Sequence, residues 1–136
     1  METNYLGLLI CGVLSLVLGF IWYGPLFGKK WMEIIGVNGM DKEKMKEMQK
    51  GMWKLYATSF ALALFQAHVL SYFIQMIPGL SAFHLALWLW AGLVVPVVAG
   101  ASMWTNDSSI TAWSRFLILA GYQLVLVEIF ALVLGR

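Results

Sequence analysis

Residues 55–106, LYATSFALALFQAHVLSYFIQMIPGLSAFHLALWLWAGLVVPVVAGASMWTN, contain no Asp, Glu, Lys or Arg. A hydrocarbon core of ~30 Å is crossed by about 20 helical residues at ~1.5 Å each. The stretch therefore suffices for two membrane crossings joined by a short turn. Its apolar runs are continuous rather than alternating, and a helix satisfies its own backbone groups in lipid, so both crossings read as helices. The break falls at Pro78-Gly79-Leu80-Ser81, where proline and glycine stop one helix and reverse the chain. Spans over 55–77 and 82–104 follow.

Working outward, a third apolar run covers 5–27 and a fourth covers 112–135, the latter after the polar turn Thr105–Thr111 with its Asn, Asp, Ser and Thr caps. The chain is 61% hydrophobic and 12% charged over 136 residues, against roughly 25% charged in an ordinary soluble domain. The fold class is thus an all-α membrane protein: a single domain, 1–136, with four transmembrane helices in a bundle. The first run follows an acid and no basic residue and is 23 residues long. A secretory leader has a basic start and an apolar core of only about 7–15 residues, so the run is expected to stay as a span. Its one cysteine, Cys11, can form no intrachain disulfide and reads as a small packed residue.

Span four carries Arg115 and Glu128 but also thirteen residues of Leu, Ile, Val or Phe. Each of those contributes about −0.3 to −0.6 kcal/mol centrally, against roughly +2.5 to +3.5 for one central charge, so insertion is favoured. Arg115 lies near an end, where it can snorkel. The segment 28–54 holds seven lysines against four acids, and Arg115 falls on its side of the membrane. Only Arg136 lies opposite. The positive-inside rule places 28–54 in the cytoplasm and both termini outside, in the inner (plasma) membrane.

Within 28–54, Met45, Met48 and Met52 recur at helical spacing behind the potential cap Asp41. This reads as a cytoplasmic amphipathic helix near the headgroups, its lysines reaching anionic lipid. Thioethers at this spacing are apolar packing rather than a copper site, and the interleaved acids speak against nucleic acid.

The polar residues inside the spans are the one plausible chemical centre. His68 and Glu128 lie nine and seven residues from the outer ends of their spans, at depths of roughly 14 and 10 Å, close enough to pair if the helices adjoin. Gln66 and Gln123 sit nearer the midplane. Glu128 is either an ion- or proton-binding group, the default for an ionisable residue in lipid, or a protonated group satisfied by His68, Tyr122 or a backbone carbonyl. His84 belongs at the outer interface, and its depth differs from that of His68 by roughly 10 Å, too much for a shared haem. No metal-ligand spacing, nucleotide loop or nucleophile triad is present, so no cofactor, no metal and no enzymatic activity is expected.

Small residues mark where helices approach closely. They are Gly12, Ser15 and Gly19 in span one; Ser59, Ala63, Ala67 and Ser71 in span two; Gly92, Pro96, Ala99 and Gly100 in span three; and Gly121 and Gly135 in span four. Pro96 is expected to kink its helix.

The stretch WYGPLFGKKWM at 22–32 leaves the first span with Trp22, Tyr23, Gly24, Pro25, Leu26, Phe27, Gly28, Lys29 and Trp31. It resembles the WYGPLFGK-x-W motif of an uncharacterised bacterial membrane family, domain of unknown function 1761. AGYQLV at Ala120–Val125 is similar to a second element in that family's last span, with Leu119 where the family often has Asn, and Asn106 matches an Asn after its third span. The resemblance implies four spans and carries no activity. Interfacial anchoring explains the aromatics and lysines of 22–32, whereas Gly24, Pro25 and Gly28 point to a fixed bend against another helix or subunit.

Two functions of different class fit. One is a structural or interaction protein forming a homo-oligomer. The other is a small proton- or cation-coupled transporter or channel built on Glu128 and His68.

Overall fold

A computed structural model describes residues 4–35, 42–104 and 108–135, without the side chains of Met45 and Met48. The expected cap Asp41, the methionine stripe at 45 and 48, and Asn106 therefore lie outside the described residues. Those described form helices and turns only, and four helices are long and apolar enough to cross a membrane: Tyr5–Leu26, Met52–Met76, Ala82–Met103 and Ser109–Leu134. The protein is an all-α, multi-pass membrane protein.

Span one is α1 (Tyr5–Ile21) continued by a π-helical turn, Trp22–Leu26. It is followed by α2 (Gly28–Ile35) and α3 (Lys42–Lys50). Span two is α4 (Met52–Met76). Span three is α5 (Ala82–Leu89), a second π-helical turn Trp90–Val94, and α6 (Val95–Met103). Span four is α7 (Ser109–Leu134), the longest helix at 26 residues. It starts three residues before the apolar run because the Ser108 hydroxyl accepts the Thr111 backbone N–H at 3.2 Å. Ser81 starts α5 in the same way through His84.

Helix α7 is the axis of the bundle, since it packs against α1, α2, α4, α5 and α6. The other tight pair is α1 with α4. There a Cβ at Gly12 would stand 2.6 Å from the Phe60 ring and 3.0 Å from Leu64, so glycine lets these side chains close on α1 without shifting. Ala63, Ala67 and Ser71 are buried on α4, and Ala63 and Ala67 share one core cluster with Cys11, Ala86 and the fully enclosed Phe130. The small-residue stripes of spans one and two are thus used inside the subunit, except at the exposed Ser59. That of span three is not. Gly92 and Pro96 are exposed, and a Cβ at Gly92 or Gly100 would meet nothing within 4 Å.

Both π-helical turns begin at a tryptophan and adjoin a proline. The Trp22 carbonyl takes the Phe27 N–H at 3.0 Å, and the Trp90 carbonyl takes that of Val95. A proline offers no N–H and its ring crowds the carbonyl of the preceding turn, so the chain inserts one residue and closes the wider ring instead. Pro96, where the kink is expected, lies just after the second of these turns, at the start of α6.

Candidate functional site

The insertions turn two indoles onto α7. Trp22 donates its Nε1–H to the Ile118 carbonyl at 2.9 Å, and Trp90 donates to the Ala120 carbonyl at 2.8 Å. Those carbonyls are two residues apart and face opposite sides of the helix, so spans one and three grip α7 at one level. Between the two grips, a Cβ at Gly121 would stand 3.1 Å from the Trp22 ring. Tyr122 donates its hydroxyl to the Ser15 carbonyl at 3.0 Å, and Gln66 donates to the Gln123 side-chain oxygen at 2.9 Å. Four consecutive residues, Ala120 to Gln123, therefore engage all three other spans.

The 22–32 stretch closes over this hub. Trp22 lies 4.9 Å from Phe27 and 6.4 Å from Tyr122 between ring centres, and Tyr23 lies 4.9 Å from Trp31 and 5.4 Å from Tyr122. Such tilted pairs are favourable beyond simple contact. Gly28 is buried because a Cβ there would press on the Tyr23 carbonyl at 3.1 Å, whereas Gly24 and Lys29 are exposed and a Cβ at Gly24 would meet nothing within 4 Å. Pro25 sits inside the π-helical turn. What the cluster touches is α7, at the AGYQ residues.

On the other side of the hub, spans two and three diverge around a cleft of about 270 Å³. Phe65, Gln66, Phe73, Trp90, Leu93 and Val127 are among its walls. Phe65 and Leu93 are 69% and 64% exposed, so the cleft opens to lipid.

The outer polar residues are arranged differently from a depth-matched pair. His68 lies on the exposed side of α4, one position past the fully buried Ala67. No hydrogen bond or ion pair joins it to Glu128 among the described residues. Glu128 is half-buried. The His84 ring is held by Ser81, Oγ to Nδ1 at 2.8 Å, at the start of α5. Gln66 and Gln123 are the two sequence candidates that the structure joins. Arg115 does not simply extend toward solvent: it donates to the Ser102 carbonyl at 3.0 Å, in the last turn of α6, where a cation suits the helix end.

Trp90 and Ser102 are partners that the sequence reading left out, and Ser15 entered it only as a small residue. A signal for Trp90 was available in the shared pattern Trp-x-Gly before a proline, at 22–25 and again at 90–96. Among the described residues no group of three or more His, Cys, Asp or Glu is placed to hold a metal ion.

Comparison with curated proteins and with solved structures returns no match. The model of one family, described as "Protein of unknown function (DUF1761)", matches residues 6–135, which include both the 22–32 stretch and the α7 residues it covers. With nearly its whole length matched, the chain belongs to that family.

Proposed function

We propose that the protein is a structural or interaction protein of the inner (plasma) membrane that assembles with copies of itself. The supporting observation is the open small-residue face of span three. Of the span windows, that of span three is 11% buried, against 33% for span four, and a Cβ at its Gly92 or Gly100 would meet nothing within 4 Å. In lipid there is no hydrophobic force between helices, so close backbone approach at such a face is what drives association. The lysines of 28–54 lie on the cytoplasmic side against anionic headgroups, and both termini lie outside.

The test is subunit counting by single-molecule photobleaching in bilayers, comparing the wild type with Gly92→Leu/Gly100→Leu. A shift from oligomer to monomer with unchanged helix content is expected. A wild type that is already monomeric at every protein density overturns the reading.

A second reading, proton- or cation-coupled transport through Glu128, draws support from the half-buried position of that acid within span four. In that reading Glu128 binds the proton or cation and His68, on the exposed face of α4, is its expected partner. Liposome flux that is present in the wild type and lost in Glu128→Gln is its expected signature, and absence of flux in both sinks it.

A further inference from the structure

The π-helical turn in span three withholds hydrogen-bond donors from its own backbone. In an α-helix the Ala91 carbonyl would take the Val95 N–H, but that N–H bonds to Trp90. The next position along, 96, is proline and has no N–H to give. The same proline deprives the Gly92 carbonyl of its α-helical donor. Among the described residues no side chain donates to either carbonyl. Ala91 and Gly92 are exposed, and a Cβ at Gly92 would meet nothing within 4 Å, so the subunit leaves this stretch of backbone uncovered. A carbonyl without a donor is costly in hydrocarbon, and irregular backbone at such depth is ordinarily enclosed by protein.

Span two carries the opposite deficit. His68 is exposed on α4 and has no hydrogen-bond partner among the described residues, yet an imidazole carries at least one N–H in either charge state. The α4 residues that wall the cleft toward span three are Phe65, Gln66, Val69, Leu70 and Phe73, and His68 is not one of them. At about 100° per residue it is turned roughly 130° from the middle of that wall, so it does not reach Ala91 of its own chain. The two groups nevertheless stand at one level. His68 is eight residues from the end of α4 at Met76 and Ala91 is nine from the start of α5 at Ala82, which puts both about 12–13 Å from the turn that joins the two spans.

A donor without an acceptor and an acceptor without a donor thus lie at equal depth on two exposed faces of one chain. Copies inserted the same way in one bilayer keep their depths, so α4 of one and span three of the next bring the pair together with no vertical shift. An acyl chain offers only methylenes at this level and can satisfy neither group. Gly92 has no side chain, so an approaching helix comes close enough for an imidazole to reach the backbone. Building on the self-association proposed above, we infer that the chain binds a second copy of itself head to tail, with His68 of one copy donating to the Ala91 carbonyl of the next. The two faces differ, so each added copy leaves one of each kind open, and the assembly grows as a ring or a row rather than closing as a pair.

The test is disulfide trapping of the full-length protein in phospholipid vesicles, with the buried Cys11 replaced by alanine. His68→Cys chains mixed with Ala91→Cys chains are expected to form cross-linked dimers under copper phenanthroline, and either variant alone is expected to form none above background. In the otherwise native chain, His68→Leu is expected to weaken association about tenfold, the effect of losing one hydrogen bond, while His68→Gln keeps an N–H and retains most of it. Subunit counts above two are expected, and a count fixed at two overturns the head-to-tail arrangement. Cross-linking no greater in the mixture than in Ala91→Cys alone overturns the contact in favour of span three packing on its own copy, and leaves self-association standing. Equal association of the wild type and a folded His68→Leu overturns it as well. A wild type that is monomeric at every protein density overturns self-association itself, and this contact with it.

Discussion

The two tryptophan-led π-helical turns use one local device in opposite settings. Each inserts a residue beside a proline and each sends an indole N–H to a carbonyl of α7. The Trp22 turn is then roofed by Tyr23, Phe27, Trp31 and Tyr122, with α2 packed alongside α7. The Trp90 turn has no such roof and forms a wall of the open cleft. A π insertion is often found at functional sites. The contrast shows that the insertion itself only aims a side chain, and that its neighbours decide whether the result is a sealed joint or the wall of an open cleft.

The comparison is broken most severely by Trp22→Ala. The substitution removes a ring packed on Gly121, the bond to Ile118 and two aromatic contacts together. A loss on the order of 3 kcal/mol is expected, toward the lower end for deletion of a packed tryptophan because Trp22 is half-buried. It is measurable as a leftward shift of unfolding in mixed detergent micelles titrated with SDS. A loss no greater than that of Trp90→Phe equalises the two turns and removes the distinction between sealed joint and cleft wall.

Gly121→Leu approaches the same joint from α7. Its Cβ alone stands 3.1 Å from the Trp22 ring, so the larger side chain forces the indole away at a cost of about 2 kcal/mol. The cost is expected to fall sharply in a Trp22→Ala background, because the two residues share one contact. Additive losses in that double-mutant cycle break the assignment. Trp90→Phe is milder, about 1 kcal/mol for one hydrogen bond, since the Ala120 carbonyl keeps its place in the backbone ladder of α7.

The spans themselves were legible because charge-free length is a one-dimensional property, and residues 55–106 carry it plainly. Depth was legible for the same reason, and it set Gln66 and Gln123 near one level. Azimuth was not. His68 and Ala67 differ by one position, yet successive residues are turned by about 100° on a helix, which takes His68 out of the bundle while Ala67 is fully enclosed. Pairing His68 with Glu128 used depth alone, and depth does not fix the side of α4 on which His68 lies. The π insertions were hidden for a related reason. A single added residue shifts the helical phase without altering the hydropathy of a run that is apolar on every side. Resemblance to a family marked 22–32 and 120–125 as the recognisable parts of the chain, and their mutual contact needed the folded bundle to be seen.

The smallest expected effects separate two glycines inside the 22–32 stretch. At Gly28 an added Cβ presses on the Tyr23 carbonyl at 3.1 Å, and a backbone atom yields less readily than the end of a side chain. At Gly24 an added Cβ meets nothing within 4 Å, and the residue lies within a helical turn whose backbone alanine tolerates well. Gly24→Ala is therefore expected to stabilise slightly, by up to about 1 kcal/mol, through the entropy of the unfolded chain and helix propensity. Gly28→Ala is expected to destabilise by a similar amount. SDS unfolding of the two single variants reads the sign directly. If Gly24→Ala leaves stability unaltered or raised but lowers the subunit number, then Gly24 serves contact with another copy and the sealed joint has an outward role of its own. If both substitutions destabilise equally, the bend is set by the local backbone of both glycines, and the roof of aromatic rings has little part in fixing it.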